Sequence, residues 1–396
     1  MTTQKFSLAE VQAALKAAQV DGWLLYDFRG SNALARRILH IPPDAHTTRR
    51  FAYFVPASGA PRKLTHRIEE GVLDHLPGEA TVYLRWQEWE QGLASILSGV
   101  DSLAVEYSPR CANPYVSRVD AGTVELLTRL DISIVSSGDL VQRFEATWTD
   151  DQWAMHQQAS QLVCDGFERA WQFIAERVAA AGGVRETEVQ QHLMEFFGRS
   201  GLTTDHGPIV GCGPNSGKPH YAPQAGADRL IQQGDLVLVD AWAKLDRADA
   251  VYADYTQMGF VGSDVPAQFD DVFSVVAAAR DAAIALVTTA FEQGRALEGW
   301  QVDPAARQVT DAPGYGAQFR HRLGHSIGQE THGNGANRDD LETHEQRSVM
   351  RRTCFSIEPG IYQEEFGVRS EVNVFVDEAG TVHVTGQRQA SIRPLL

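Results

Sequence analysis

Acidic and imidazole side chains interrupt apolar or glycine-flanked segments at several places in the C-terminal half of the chain. A buried carboxylate without a partner costs several kcal/mol or takes up a proton. Several such groups on one side of the fold therefore need a common counter-charge, and a pair of divalent metal ions is the simplest one. The segments concerned carry Asp240, Asp254, His321 with His325, Glu358 and Glu371.

Two aspartates form the first candidate pair. Asp240 interrupts the apolar run Leu236–Trp242, which is typical of a central strand, and Asp254 follows fourteen residues later on the predicted partner strand. An antiparallel hairpin can place both side chains on one face. Aspartates at strand ends are also common for purely structural reasons, so this pair alone does not identify a metal site.

Three histidines lie within twelve residues, in the segment His321–His332. Gly324 and Gly328 flank the middle one, His325, and leave room for a ligand to approach the backbone. A single histidine in such a segment is more often a core residue with satisfied hydrogen bonds. The grouping with glycine leaves a structural role and a ligand role equally open.

Two glutamates complete the candidate set. Glu358 ends a predicted buried strand at a turn, and Glu371 shares one face of the predicted strand 369–376 with Arg369 and Asn373. A solvated strand face explains either glutamate alone. Taken together with an imidazole, carboxylate oxygens suit hard or borderline ions such as Mn²⁺, Co²⁺ or Zn²⁺. Two bridging acids allow two ions roughly 3.5–4 Å apart, an arrangement used for metal-assisted hydrolysis.

The bulk composition argues against several classes of partner. The formal net charge is -16 and the 396 residues contain no Lys/Arg-rich block, which argues against nucleic acid and anionic membranes. Four scattered cysteines without a C-x-x-C pair indicate a reduced protein. No signal peptide is visible, and no uninterrupted apolar run reaches the ~18 residues of a membrane span. We expect a cytoplasmic protein.

The order of predicted elements divides the chain into two domains, as its length suggests. Short strands alternate with helices over residues 1–145, which predicts a three-layer α/β domain. A capping box at Thr149–Gln152 then opens a long helix that stops at Gly182-Gly183. Over residues 146–396 helices, strands, helices and strands follow in turn, which is a pseudo-duplicated α+β pattern.

The order Asp, Asp, His, Glu, Glu and the sequence around each residue resemble the metallopeptidase family of methionine aminopeptidase, aminopeptidase P and prolidase, which has the pita-bread fold. The resemblance covers about residues 145–396. It is carried by Gly324–Gly328, Ser356–Tyr362 and Val368–Glu371, and by Ile209–Asn215 leading to Pro219-His220-Tyr221. The first 145 residues resemble the additional domain of the proline-specific branch. The resemblance implies an α+β chain in which a smaller three-layer α/β domain precedes a C-terminal pita-bread domain.

Two departures from the family leave its branch and the substrate length open. The spacing between the aspartates is longer than usual, because Trp242, Ala243 and a predicted loop, Lys244–Val251, intervene. After the second aspartate the family tends to read Ile-Thr-Arg-Thr, whereas this chain reads Tyr255-Thr256-Gln257-Met258. Neither departure removes a ligand.

The resemblance implies a role for each ligand. Asp240 would bind one metal ion, His325 with Glu358 the other, and Asp254 and Glu371 would bridge them. The shared water would become a hydroxide near neutral pH and attack the scissile carbonyl, with Glu358 taking the proton of the water.

Four further residues would act around this centre. His220 and His332 would hydrogen-bond the substrate and the tetrahedral intermediate. His321 and Arg369 would orient ligands and product. We expect two divalent ions per chain, Mn²⁺ with Co²⁺ or Zn²⁺ as alternatives, and the family implies a homodimer.

In the proline-specific branch, the residue after the scissile bond is proline. An imide nitrogen has no N–H, so peptidases that rely on extended-strand binding handle it poorly. A pocket of aromatic and aliphatic groups suits the proline ring. Tyr221 and Tyr362 are candidates for this pocket, and core packing is an equally open alternative for both.

A dipeptidase must also recognise the free C-terminal carboxylate, which a guanidinium does best. The loop after His332 is long and offers Arg338, Arg347, Arg351 and Arg352. This loop favours an Xaa-Pro dipeptidase over an aminopeptidase P, which acts on longer peptides and must leave that end open.

Two functions of other classes are also considered. A pita-bread protein that has lost catalysis and only binds a partner would be expected to lack ligands, whereas all five are present here. A metal-free hydrolase of the creatinase type would not need both aspartates and both glutamates.

Overall fold

The computed structural model describes residues 6–396. The chain folds into two compact units, one ending at Glu145 and the other spanning Ala146–Leu396. Each unit has apolar cores of its own.

A six-stranded sheet forms the centre of the first unit. Its strands are β1 (Gly22–Asp27), β2 (Phe51–Pro56), β3 (Arg62–His66), β4 (Glu79–Tyr83), β5 (Ser102–Val105) and β6 (Ser133–Ser136). Their order in the sheet is β4-β3-β2-β1-β5-β6. The pairs β1–β2 and β2–β3 are antiparallel and the others are parallel. The two central strands β1 and β2 are buried along nearly their whole length, because apolar residues occupy both of their faces.

Helices cover both faces of this sheet. They are α1 (Leu8–Ala17), α2 (Ala33–Ile38), α3 (Trp86–Ile96), α4 (Ala121–Thr128) and α5 (Gly138–Glu145). Apolar residues of α1, α2 and α5 share a core with Trp23 and Leu25 of β1, and those of α3 and α4 share a core with Leu24 and Tyr26. Successive residues of a strand point to opposite faces. The helices therefore form two outer layers, which confirms the predicted three-layer α/β arrangement.

The helices of the second unit are α6 (Asp150–Ala181), α7 (Glu186–Arg199), α8 (Ala267–Glu292) and α9 (Asp303–Asp311). Helix α6 starts at the predicted capping box. The Gln152 N–H donates to Thr149 Oγ1 at 3.1 Å, and the Thr149 N–H donates to Gln152 Oε1 at 3.0 Å. The helix ends at Gly182, whose φ of 77° is a left-handed conformation that glycine adopts without strain.

The strands of the second unit are β7 (Val184–Arg185), β8 (Leu202–Thr203), β9 (Ile209–Cys212), β10 (Leu230–Ile231), β11 (Leu236–Leu245), β12 (Ala253–Phe260), β13 (Ser326–Ile327), β14 (Cys354–Ile357), β15 (Gly360–Tyr362), β16 (Gly367–Arg369), β17 (Val372–Val376), β18 (Val382–Thr385) and β19 (Arg393–Pro394). One sheet contains β8, β9, β11, β12 and β19, and another contains β13, β14, β17 and β18. Helices α6 and α7 pack on the first sheet, and α8 and α9 pack on the second. This arrangement agrees with the predicted repetition of helices and strands.

Helix α8 is apolar along most of its length. Among the residues that the structure describes, it is the one helix long and apolar enough to cross a membrane by those two measures, and half of its apolar window is buried. Arg280 and Asp281 interrupt the apolar stretch. The apolar residues of α8 contribute to two separate cores. Its hydropathy is therefore that of a helix packed inside a protein core.

The prediction of one continuous strand over residues 369–376 is wrong, because the chain passes from one sheet to another within this segment. Arg369 ends β16, where it pairs with Gly360 of β15, and β17 begins only at Val372. Between them the Glu371 N–H donates to the Thr256 carbonyl at 3.3 Å. Glu371 therefore lies at the crossing point between strands, and it does not alternate with its neighbours along one strand face.

Candidate metal centre

The two aspartates lie on one face of the hairpin formed by β11 and β12. In the antiparallel register Asp240 pairs with Thr256, and Trp242 pairs with Asp254. Residues opposite each other, and residues two apart along a strand, share a face. Both carboxyl groups are buried. The connecting loop is shorter than predicted, because β11 continues to Leu245 and pairs there with β8.

Three of the predicted ligands meet in a tight cluster. Donor atoms of Asp254, His325 and Glu371 all lie within 4.8 Å of one another. Asp254 comes from β12, His325 directly precedes β13, and Glu371 directly precedes β17. Since β12 belongs to one sheet and β13 and β17 to the other, the cluster forms where the two sheets meet.

Glu358 joins this cluster through His325. The His325 Nε2 atom lies 3.5 Å from Glu358 Oε1 and also 3.5 Å from Asp254 Oδ2. Ser356 fixes the relative position of the two segments, since its Oγ accepts from the His325 N–H at 2.9 Å and donates to Glu358 Oε1 at 3.1 Å. An imidazole thus faces two carboxylates from different strands.

Asp240 connects to the cluster through two side chains. Thr256 Oγ1 lies 3.0 Å from Asp240 Oδ1 and 2.9 Å from Glu371 Oε2. The Arg369 guanidinium donates from Nη2 to Asp240 Oδ2 at 2.5 Å and from Nε to Thr256 Oγ1 at 2.8 Å. The structure therefore brings all five predicted ligands into one connected group, and their role as ligands stays a prediction.

Burial and mutual repulsion dominate the electrostatics of the acids. Burial raises the pKa of Asp240 to about 7, and Asp254 and Glu358 add to this rise against the opposing charge of Arg369. Burial and neighbouring carboxylates also raise the pKa of Asp254 and of Glu371 well above the usual range. In the absence of a cation, burial and mutual repulsion therefore disfavour the ionised form of all three acids.

Glu358 is the exception among the acids. Burial alone would raise its pKa, but the neighbouring His325 and His321 imidazoles and the Arg369 charge outweigh burial, so its pKa is lowered. Of the four carboxyl groups, Glu358 is therefore the one that remains ionised most readily.

The donor set fits a divalent metal ion. Glu371 Oε1 is buried without a hydrogen-bond partner, which is rare for a polar atom inside a protein. Carboxylate oxygens around an imidazole nitrogen suit Mn²⁺, Co²⁺ or Zn²⁺. A cation among Asp254, His325 and Glu371 would satisfy the unpartnered oxygen and offset the repulsion among the acids.

His321 and Tyr362 form a hydrogen-bonded layer next to the acids. His321 Nε2 lies 2.8 Å from the Tyr362 hydroxyl, and Arg369 Nη1 donates to the same hydroxyl at 3.2 Å. Burial lowers the pKa of His321 to about 4, so its ring is neutral at physiological pH. The hydroxyl of the buried Tyr362 is therefore committed to this layer. Contact between Tyr362 and a substrate proline stays a prediction.

His332 and His220 lie on the solvent side of the cluster. Both residues are exposed, and the His332 ring meets the His325 ring edge-on with 4.3 Å between centroids. The charge of His325 lowers the pKa of His332, and His220 contributes in the same direction. The predicted substrate-binding residue His332 is therefore next to the candidate ligand His325.

A buried glutamate that the sequence analysis missed anchors the segment carrying His220. The Glu186 carboxylate accepts hydrogen bonds from the Cys212 N–H at 2.7 Å, the Tyr221 hydroxyl at 2.6 Å and the Arg229 N–H at 2.9 Å. The Asn215 side-chain amide also donates to it. A glutamate at the start of a helix carries no sequence signal for this role.

Two arginines of the loop after His332, Arg347 and Arg352, are engaged within the chain. Arg347 forms an ion pair with Glu345 at 2.5 Å and donates to two loop carbonyls. The Arg338 guanidinium is buried against the Phe355 ring. Arg352 donates to the Trp148 carbonyl and to Asp150, and Arg351 is exposed. Arg347 thus holds the loop to itself and Arg352 holds it to the start of α6, whereas Nε and Nη1 of the buried Arg338 have no hydrogen-bond partner among the residues that the structure describes.

Comparisons with known proteins place this cluster in a family context. Residues 154–378, which contain all five predicted ligands, match metallopeptidase family M24. The chain is 31% identical over 209 residues to an Xaa-Pro dipeptidase of Lactobacillus delbrueckii subsp. lactis, a match that covers 52% of this chain and only 50% of that relative. It is 27% identical over 337 residues to a probable dipeptidase PepE of Mycobacterium tuberculosis, covering 84% and 82% of the two chains.

A solved structure extends the likeness to both units. The dipeptidase PepE from Mycobacterium ulcerans aligns with a TM-score of 0.70 at 23% identity, covering 98% of this chain and 96% of that one. This likeness supports the predicted fold. The family match spans more than half of the chain and confirms the resemblance that the ligand segments carried. The chain belongs to metallopeptidase family M24.

Proposed function

We propose that this protein is a metal-dependent peptidase that hydrolyses the Xaa-Pro bond of dipeptides. The observation that carries the proposal is the buried cluster of Asp254, His325 and Glu371, with Glu358 at 3.5 Å from the imidazole, inside the segment that matches the family. Relatives named Xaa-Pro dipeptidase support the substrate class.

The five clustered residues would hold two divalent ions, with Mn²⁺ as the proposed metal. When bound, such ions supply Lewis acidity, which lowers the pKa of a coordinated water and polarises the scissile carbonyl. Asp254, His325 and Glu371 would hold one ion, since their donor atoms lie within 4.8 Å of one another, and Asp240 would add its carboxylate from beside Thr256, which also contacts Glu371. Arg369 holds the Asp240 carboxylate in place through its guanidinium.

The side chains around the centre would move a proton and orient the substrate. Glu358 is ionised because His325 and His321 lower its pKa, so it can accept a proton from the attacking water. A neutral His332, exposed next to His325, can donate one N–H to the carbonyl oxygen of the substrate. His220 approaches from the segment that Glu186 anchors.

The proposal can be tested by measuring the hydrolysis of Ala-Pro and of Ala-Pro-Ala by one preparation of the Mn²⁺-loaded protein. We expect hydrolysis of the dipeptide, its loss with a chelator and its return with added Mn²⁺. Cleavage of the tripeptide alone would assign an aminopeptidase P activity. Hydrolysis that a chelator does not affect would refute the metal-dependent function.

A non-catalytic binding protein makes a different prediction. In that case the metal would raise the melting temperature by binding the folded state, and neither peptide would be cleaved. The complete set of clustered ligands favours the enzyme.

A further inference from the structure

A cavity of about 660 Å³ lies in the first unit, and every residue that lines it belongs to that unit. It forms where the strands β1, β3 and β4, which run in the same direction, come to an end. Phe28 follows β1, His66 is the last residue of β3, and Tyr83 is the last residue of β4. Open α/β sheets bind ligands at the carboxyl ends of their strands, and small-molecule sites have volumes of roughly 300–1,000 Å³. The position and the volume of the cavity therefore both suit a small ligand.

Exposed apolar side chains form part of the cavity lining. Phe28, Leu84 and Trp86 are 43%, 57% and 62% exposed. On a protein surface, large apolar side chains that are grouped in this way mark a site of interaction. An aromatic or branched apolar group of a ligand would remove them from water.

Arg50 supplies a positive charge to the same lining. Its guanidinium carbon lies 4.7 Å from the centre of the buried Trp89 ring, and a side-chain hydrogen bond links it to the Tyr83 hydroxyl. Both of these partners are neutral, and Arg50 forms no ion pair within residues 6–396. The contact with a ring face leaves guanidinium N–H groups for an anionic acceptor.

Arg49 adds a second guanidinium to the lining. Its Nη1 donates to Thr48 Oγ1 at 2.7 Å, and it also forms no ion pair in the described part of the chain. The neighbouring Glu69 accepts from the backbone N–H groups of Arg49 and Thr48 at 3.0 and 2.8 Å. The acid of the lining, Asp120, caps α4 by accepting from the Thr123 N–H and hydroxyl at 2.9 and 2.8 Å. The cavity thus carries more positive than negative charge, in a chain whose net charge is -16.

We propose that this cavity binds a small anion that carries an aromatic group. The guanidinium groups of Arg49 and Arg50 would bind the anionic group, since their planar forks match a carboxylate or a phosphate. The His66 ring would add a hydrogen bond: its Nδ1 accepts the Ile68 N–H at 3.1 Å, so the proton of the neutral ring lies on Nε2. The exposed aromatic side chains would pack against the aromatic group. The inference does not depend on the proposed function, because none of the lining residues is a candidate metal ligand.

Calorimetric titration of the full chain with N-acetyl-L-phenylalanine and with phenyl phosphate tests this site and distinguishes a carboxylate from a phosphate. The uncharged N-acetyl-L-phenylalanine amide is the control. We expect at least one of the two acids to bind, and the amide to bind at least about tenfold more weakly than N-acetyl-L-phenylalanine if the carboxylate is the ligand. Each titration is repeated with a chelator, because a metal ion at the candidate metal centre would also attract an anion. No binding of either acid, or binding that the chelator abolishes, would overturn the proposal.

Variants of the lining residues locate the bound anion. Arg50→Gln should weaken the binding of the acid about 10- to 100-fold, because a charge-assisted hydrogen bond is lost. Trp86→Ala should weaken it by up to about tenfold through the loss of ring packing. Arg67→Gln is the matched control and should leave Kd unchanged, since Arg67 is exposed and pairs with Glu70 outside the cavity.

Thermal unfolding of each variant separates a lost contact from a lost fold. If Arg50→Gln does not fold, the exposed Arg49 takes its place as Arg49→Gln, with the same expected loss of affinity. An unchanged Kd in the folded arginine variant would overturn the proposal. Sedimentation tests whether a second copy of the chain occupies the cavity instead. A dimer that Trp86→Ala dissociates, together with no binding of either acid, would assign the surface to self-association and overturn the ligand site.

Discussion

Buried acids occur in both units, and they are stabilised in opposite ways. In the first unit the Glu106 carboxylate accepts hydrogen bonds from Trp23 Nε1 at 2.6 Å, Asn32 Nδ2 at 2.7 Å and Ser137 Oγ at 3.0 Å. In the second unit Glu371 has one oxygen near Thr256 and the other without a hydrogen-bond partner. Both residues are buried.

Glu186 shows that the second unit can also satisfy an acid with donors alone. Its carboxylate accepts from two backbone N–H groups, a hydroxyl and an amide. A buried acid surrounded by donors is part of the scaffold, whereas a buried acid surrounded by other acids needs a cation. The comparison therefore separates structural carboxylates from candidate metal ligands without reference to sequence.

The largest expected effect comes from removing one of the acids that faces other acids. Asp254→Ala should reduce kcat/KM on Ala-Pro by about a thousandfold, since Lewis-acid catalysis contributes several kcal/mol and each 1.36 kcal/mol is about tenfold in rate. It should also abolish the rise in melting temperature that Mn²⁺ causes, which corresponds to about 2.7 kcal/mol at a hundred times Kd. Glu186→Gln is the matched control and should keep that rise. An undiminished rise in Asp254→Ala would contradict the assignment.

The next largest effect should be on the free energy of unfolding, when Glu186 with its surrounding hydrogen-bond donors is changed. Glu186→Gln should lower the free energy of unfolding by about 3 kcal/mol in urea titrations, because hydrogen bonds to a charged group contribute about 1.5–3 kcal/mol each. Tyr221→Phe removes only one of these bonds and should cost about half as much. Equal stability of wild type and Glu186→Gln would show that the donors do not depend on the carboxylate.

An effect of opposite sign is expected at Glu371. In the metal-free protein Glu371→Gln should raise the free energy of unfolding, since the raised pKa of Glu371 means that burial and the neighbouring carboxylates disfavour its ionised form. In the presence of Mn²⁺ the same variant should be less stable than the wild type. If the metal-free variant is the less stable one, Glu371 is a structural acid like Glu186.

The smallest effect concerns the pH dependence at Glu106. Burial raises the pKa of Glu106 in the folded state above its pKa in the unfolded chain. At a pH between these two pKa values, the folded state therefore keeps the Glu106 proton that the unfolded state has lost. Stability therefore falls as pH rises from the unfolded toward the folded pKa, by about 1.36 kcal/mol per unit of difference. Glu106→Gln should lack this loss, and its stability relative to wild type should rise between pH 4.5 and pH 7.5 in urea titrations. A stability difference between Glu106→Gln and wild type that does not change with pH would mean that the hydrogen-bond donors fully offset the effect of burial on the Glu106 pKa.

The sequence by itself determined the helix ends and strand faces of this protein, because residues a few positions apart specify them. The capping box at Thr149–Gln152 and the left-handed Gly182 fix both ends of α6 through contacts a few residues apart. The alternation of β11 and β12 places Asp240 and Asp254 on one face whatever surrounds the hairpin. The five candidate ligands could be named in advance since each interrupts an apolar or glycine-flanked segment.

Tertiary structure alone decided which groups support those ligands. Glu186 looks like any glutamate at a helix start, and only the fold brings it to the segment that carries Tyr221. Arg347 and Arg352 looked free to bind a substrate from the sequence. In the fold Arg347 pairs with Glu345 and two loop carbonyls, and Arg352 donates to the Trp148 carbonyl and to Asp150. Hydrogen bonds between residues that are distant in sequence produce no periodic pattern in the sequence. They form because a buried polar group needs a partner, whatever the sequence spacing.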